Sequence, residues 1–144
     1  MKSFNLDSWI VYRMWRVSQE AGFELEAWYG SAFGLTAPEW HSLAMLANHA
    51  PLSAKELACL LDISQVQMTR TLSKLHSDGL AFRNTDDRDR RRVVLGLTRK
   101  GLRLYNKIAP KAAAIEDRML AAFSPRERNQ FDAFLGRLEA LFRH

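Results

Sequence analysis

The chain has 144 residues, 47% of them apolar and 26% charged, and 21 Lys and Arg against 16 Asp and Glu give a formal net charge of +5. That composition supplies one packed core and excludes disorder over the whole chain. No run approaches the roughly 18 apolar residues of a membrane span, and no apolar leader follows Met1-Lys2-Ser3-Phe4-Asn5, so a soluble cytoplasmic protein is expected. The lone Cys59 excludes an internal disulfide and a multi-thiolate metal site.

A first helix is expected over about 6–30, carrying Trp9, Ile10, Tyr12, Met14, Trp15 and Phe23. Gly22 interrupts its pattern, and Gly30 and Gly34 punctuate its end. Four boxes, each a Ser or Thr followed three residues later by Glu or Gln, then mark helix starts, because the two side chains satisfy orphan backbone donors reciprocally. Thr36-Ala37-Pro38-Glu39 opens a helix at about 37–49, Ser53-Ala54-Lys55-Glu56 one at 54–61, and Ser64-Gln65-Val66-Gln67 one at 65–77. Pro51 separates the first two of these, and Gly79 follows the third as a helix C′ residue. Leu80-Ala81-Phe82 and Val93-Val94-Leu95 flank a polar tip from Asn84 to Arg92, the pattern of a β-hairpin with a long charged loop. A helix at about 99–121 follows, and Ser124-Pro125-Arg126-Glu127 opens the last, at about 125–143. The fold is therefore mainly α with one small antiparallel hairpin.

The positive charge is concentrated. From Arg70 to Lys107 there are eleven basic residues against four acids, whereas the rest of the chain carries ten against twelve. A polyanionic partner for that segment is the implied reading, with a solvated basic face as its alternative. The short helices at 54–61 and 65–77, joined around Asp62-Ile63 with small Ala58 facing the second, form a helix-turn-helix pattern. At roughly 100° per residue, Met68, Leu72 and Leu75 make one buried stripe. Val66, Gln67, Arg70, Ser73, Lys74 and Ser77 lie opposite, with no acid among them. Arg suits guanine, Gln adenine and Val the thymine methyl, while Lys and Ser suit phosphate. Solvated faces mix Glu with Lys, so the acid-free face favours DNA. The hairpin tip adds four arginines in five residues, Arg88 and Arg90 to Arg92, and an arginine on such a projection can enter a narrow minor groove. Asp86, Asp87 and Asp89 are expected to pair with neighbouring arginines and hold the loop's shape.

In this order the elements resemble a winged helix, and the residues resemble the MarR family of bacterial transcriptional regulators. Gly34-Leu35-Thr36-Ala37-Pro38-Glu39-Trp40, Leu57-Ala58, Thr69-Arg70-Thr71-Leu72-Ser73-Lys74-Leu75, Gly79-Leu80, Asp89-Arg90-Arg91 and Leu97-Thr98-Arg99-Lys100-Gly101 carry the resemblance, from about Leu6 onward. Asp62 at the turn, Val66, Met68 and Gly96 depart from the family's habits and leave the operator sequence open. The resemblance implies a winged helix-turn-helix unit at 35–100 and dimerisation helices at 1–33 and 101–144. It implies a homodimer, most simply a repressor, on a pseudo-palindromic operator in the bacterial cytoplasm at the nucleoid. The DNA-contact set is then Ser64, Gln65, Val66, Gln67, Thr69, Arg70, Ser73, Lys74, Arg88, Arg90 and Arg91, with Arg91 of the Asp89-x-Arg91 motif reaching the minor groove. The last helix places Phe131, Phe134, Leu135, Leu138, Leu141 and Phe142 at i, i+3, i+4, i+7 spacing. An isolated helix of ~18 residues needs a partner surface, and the first helix is its natural mate, within the chain or across a dimer.

Family members often bind phenolic or aromatic carboxylate ligands between the dimerisation helices and the winged unit. Trp9, Arg13 and Arg16 are nearly in line on the first helix, with Tyr12 beside them and Trp40 and His41 on the second. Guanidinium groups with aromatic walls suit an aromatic anion. A core aromatic cluster with cation–π contacts or Glu20 pairing is the alternative, and with it a DNA-binding regulator that has no small-molecule switch and acts architecturally or through a protein partner. Cys59, in mid-helix, reads as a small buried apolar residue. His41, His49, His76 and His144 lack metal-ligand spacing. No nucleophile elbow or phosphate-loop glycine pattern is present, so neither a cofactor nor an enzyme is expected.

Overall fold

The structure, a computed structural model, describes residues 3–143; Met1, Lys2 and His144, the last among the histidines considered for metal, lie outside the described residues. A single 3-10 turn at Leu6–Ser8 precedes α1 (Ile10–Phe33), α2 (Ala37–His49), α3 (Ala54–Leu61), α4 (Gln65–Ser77), β1 (Ala81–Thr85), β2 (Val93–Leu97), α5 (Arg99–Leu120) and α6 (Pro125–Phe142). The two strands pair antiparallel from Ala81 opposite Leu97 to Thr85 opposite Val93. Among the described residues no helix is long and apolar enough to cross a membrane.

Local chemistry explains the boundaries. At α3 and α6 both halves of the capping box form: the Ser53 and Ser124 hydroxyls accept from the Glu56 and Glu127 amides, and both glutamates reach back to the serine N–H. At α2 the Glu39 carboxylate accepts from the Thr36 N–H at 3.0 Å. The box expected at α4 forms only by half. Ser64 Oγ accepts from the Gln67 N–H at 3.1 Å, but the Gln67 amide turns to Thr71 Oγ1 instead, since a neutral amide gains less than a carboxylate at the positive end of a helix. Thr98 caps α5 through Gly101 N–H at 3.0 Å, a start that no box announces.

Two boundaries at α1 differ from the sequence reading. The helix starts after Trp9 rather than at residue 6, and it runs through Gly22 and Gly30 before stopping at Gly34. Gly34 adopts φ 68°, the left-handed conformation that ends the helix, whereas Gly30 keeps its helical bonds. Asp62 also adopts a left-handed φ of 51° at the α3–α4 turn, a conformation asparagine and aspartate accept better than other non-glycine residues.

The core gathers Leu25 and Tyr29 of α1, Leu43 and Leu46 of α2, Leu57 and Ala58 of α3, Met68, Leu72 and Leu75 of α4, Leu80 just before β1, Leu95 of β2 and Ile108 of α5. α2 lies at its centre, packed against α3, α4, α5 and β2. A residue that the sequence reading left as loop joins the sheet: Leu52 pairs with Leu95 through reciprocal backbone bonds of 3.4 and 2.7 Å. Gly101 lets α5 close onto the helix-turn-helix, because a Cβ there would stand 2.0 Å from the Leu80 carbonyl oxygen. Cys59 departs from expectation: it is exposed on α3, whose buried face is taken by Leu57 and Ala58.

Candidate DNA-binding face

α4 is fastened to the body by Met68, Leu72 and Leu75, with Thr71 joining that stripe. Thr71 sits inside because its hydroxyl donates to the Gln67 carbonyl at 2.9 Å, which removes the cost of burying it. The other side of the helix stands in solvent. Ser64, Gln65, Val66, Thr69, Arg70, Ser73 and Lys74 are all exposed, and Val66, an apolar residue, is 65% exposed. Such exposure is unrewarded in a free protein and is what a methyl-reading contact requires. Gln67 is half-buried and tied to Thr71, so it stands at the flank of this face rather than on its crest.

Lys74 differs from the sequence reading. The helix face holds no acid, but Asp78 lies one turn beyond it and takes the Lys74 ammonium at 2.5 Å. That bond comes first in raising the pKa of Lys74, with Asp78 and Glu39 charges adding to it. Pairing at i, i+4 is visible only once α4 is known to continue as far as its Asp78 cap.

In the wing, the aspartates shape the loop largely through its backbone. Asp86 Oδ1 accepts from the Arg88 N–H and Asp89 Oδ1 from the Arg91 N–H, each at 3.0 Å. The Asp86 N–H donates to the Arg92 carbonyl and the Arg92 N–H to the Asp89 carbonyl. Arg88, Arg90 and Arg91 are exposed and in no ion pair among the described residues. Arg92, the fourth arginine of the run, turns the other way, to Asp86 at 3.3 Å and to Glu56 at the start of α3. The wing is thereby fixed at its root and carries three free guanidinium groups at its tip.

The residues considered for a ligand do not form one cluster. Trp9 packs edge-on against Phe4, and Tyr12 stacks on Trp15. Trp40 is a core residue, 6.1 Å from Tyr29 and 5.9 Å from Tyr105 between ring centroids. His41 lies at the α2 surface, where partial desolvation lowers its imidazole pKa against the opposing pull of Glu26. Arg13 and Arg16 alone share a cleft, of about 460 Å³, with Asp7, Glu20, Val17 and Met119. Helical spacing aligned these side chains; packing separated them.

None of the α6 residues is buried. Phe131, Phe134, Leu135, Leu138, Leu141 and Phe142 are all exposed, as are Ile10, Met14, Trp15 and Val17 on the first half of α1. Leu25 and Tyr29 in the core, and Arg118 of α5 holding Glu24 at 2.5 Å, anchor the second half of α1.

A helix-turn-helix with an acid-free outer face and an arginine-tipped hairpin beside it defines a winged-helix DNA-binding protein. The family model described as "MarR family" matches residues 33–92. The regulator PecS of Dickeya dadantii is 32% identical over 112 residues, 76% of this chain and 68% of PecS. The homoprotocatechuate degradative operon repressor of Escherichia coli is 26% identical over 107 residues, 74% of this chain and 72% of that protein. The crystal structure of a MarR-family transcriptional regulator from Silicibacter pomeroyi superposes with a TM-score of 0.85 at 29% identity, covering 96% of this chain and 93% of that one. The chain belongs to the MarR family, and it is a DNA-binding transcriptional regulator of that family.

Proposed function

We propose that the protein is a repressor that binds a pseudo-palindromic operator as a homodimer. Residues 35–100 act as the DNA-binding unit, and 1–33 with 101–144 as the dimerisation helices. Each protomer lays α4 in a major groove, with Arg70 and Val66 toward base edges and Ser64, Gln65, Gln67, Thr69, Ser73 and Lys74 around them, and sends Arg88, Arg90 and Arg91 toward the neighbouring minor groove. The observation that carries this is that Arg70 and the three wing arginines are exposed and in no ion pair among the described residues, beside Asp86 and Asp89, which the loop already engages. A twofold dimer would place its half-sites about 34 Å apart. The six large apolar side chains of α6 supply a surface for that association, since exposed apolar area on this scale is costly to leave in water.

Release by a small aromatic or phenolic acid is the second part of the proposal, and a cytoplasmic protein at the nucleoid is its setting. Arg13 and Arg16 would take the carboxylate, with Val17 and Met119 against the ring. The similarity to a repressor of an aromatic degradative operon supports the class of ligand. Fluorescence anisotropy on the DNA upstream of the gene tests both parts. Specific binding that weakens steeply with salt and is relieved by an aromatic acid is expected. Equal affinity for every duplex would remove the first part, and specific binding that aromatic acids do not relieve in wild type, or relieve equally in wild type and Arg13→Gln, would remove the second.

A further inference from the structure

β1 is an edge strand, with β2 as its one neighbour in a two-stranded sheet among the described residues, whereas β2 is also held on its other edge by the Leu52 bonds. Phe82 stands opposite Gly96 in that pairing. Its ring lies directly over the glycine: a Cβ at Gly96 would come to 2.6 Å from Phe82 Cζ and to 3.0 and 3.2 Å from the two Cε carbons. Gly96 has no positive φ, unlike Gly34 and Gly79, so its bare Cα serves the ring and not a turn of the backbone. A glycine inside a strand marks such a close approach. An aromatic side chain laid across it restores the packing that the missing side chain would have given.

This contact sits where the wing leaves the body. Beyond Ala81 no residue of β1 is buried, and Phe82 itself is 38% exposed. The Arg92 pairs with Asp86 and Glu56 hold the far end of the hairpin, next to the start of β2. A hairpin fastened at one point can pivot, whereas one fastened at two points has a single direction. Strands rise by roughly 3.4 Å per residue, so Thr85 stands about 10 Å beyond Phe82 and the arginine tip further still. A small tilt at the ring is multiplied over that length.

We propose that Phe82, seated on Gly96, is a positioning residue for DNA binding. The ring sets the angle at which the wing leaves the sheet, and so where Arg91 meets the minor groove. Phe82 itself touches no DNA in this arrangement. It acts through Arg91, so the proposal rests on the operator reading above. Phe82 lies outside the buried core, and its loss is therefore felt at the wing and not in the fold.

Fluorescence anisotropy on operator duplexes over a range of salt, with thermal unfolding of the same preparations, tests this in the full chain. Phe82→Ala should weaken binding several-fold on every operator sequence and lower the salt slope by about one, at a melting temperature close to that of wild type. Gly96→Ala, whose methyl drives the ring aside, should do the same, and Phe82→Tyr, which keeps the ring, should bind as wild type does. Phe82→Ala/Arg91→Ala should lose clearly less than the two single losses multiplied, because the same contact is removed twice. In the free protein the ring current should displace the Gly96 Hα resonance, and Phe82→Ala should return it to an ordinary strand position. If Phe82→Ala does not fold, Phe82→Leu, which keeps apolar bulk without the flat ring, serves in its place. An unaltered salt slope in Phe82→Ala beside a lowered one in Arg91→Ala would overturn the proposal and leave the operator reading standing. Multiplicative losses in the double variant, or a Phe82→Tyr protein as weak as Phe82→Ala, would do the same. An unaltered slope in Arg91→Ala would remove that arginine's groove contact, and the proposal with it.

Discussion

The Arg92 guanidinium grips the Glu56 carboxylate across 36 positions of sequence, joining the root of the wing to the first turn of α3. Glu56 also closes the capping box of that helix, so one carboxylate orders both the helix start and the hairpin. Arg92→Ala should therefore change what the wing does more than how stably the chain folds. An exposed ion pair adds little to stability, so the melting temperature should move little, while operator affinity falls several-fold as the tip arginines lose their fixed base. Anisotropy and thermal unfolding on the same preparations check this, and Arg92→Lys, which keeps the charge but loses the fork, should recover only part of the affinity.

Acid should act through the same carboxylate. Glu56 titrates below its ordinary value of 4.5, first because the Ser53 N–H donates to it and further because Arg92 does. A carboxyl whose pKa drops on folding stabilises the fold above its unfolded pKa, and that contribution disappears as the pH falls through the folded value. The stability difference between wild type and Glu56→Gln should stay constant from about pH 8 to about pH 5.5 and shrink below about pH 4.5. A difference that grows on acidification would contradict the assignment.

Arg70 and Arg91 should fail differently. Loss of a base-edge contact costs about 1–3 kcal/mol at the base it reads, whereas loss of a phosphate or groove contact weakens all sequences and lowers the salt slope by about one. Arg70→Ala should relax preference at one position of each half-site; Arg91→Ala should weaken binding evenly. Binding to a library of single-base operator variants separates the two, and an even loss for both would contradict the roles assigned here.

Leu138→Glu puts a charge at the middle of the exposed α6 stripe. Sedimentation velocity at micromolar concentration should show a monomer in place of a dimer, with operator affinity reduced at least tenfold because the half-sites no longer bind as one. An undisturbed fold is expected by circular dichroism, since no residue of α6 is buried.

Two glycines make opposite predictions. Gly101→Ala drives a methyl to 2.0 Å from a backbone oxygen, Leu80 O, which cannot swing aside, and should destabilise by about 2 kcal/mol or more. Gly22 has open space around its Cβ position inside α1, so Gly22→Ala should stabilise by about 0.5–1 kcal/mol. Urea unfolding of both variants measures the pair.

The helices were legible because their signals are short-range. Ser53 with Glu56 and Ser124 with Glu127 close boxes three residues long, and the Met68, Leu72 and Leu75 stripe is written in the spacing of a single helix. A capping bond or a helical face depends on residues within one or two turns, so the amino-acid order alone specified the element sequence, the α4 face and the charged hairpin. Tertiary structure decided everything that joins distant segments: Arg92 turned inward to Glu56, Trp40 claimed by Tyr29 and Tyr105, Leu52 paired with Leu95, and Arg13 and Arg16 left in a cleft without the other aromatic candidates. Whether an arginine reaches solvent or a carboxylate, and whether a tryptophan walls a pocket or fills a core, depends on which neighbour packing delivers from elsewhere in the chain. No local period encodes that neighbour.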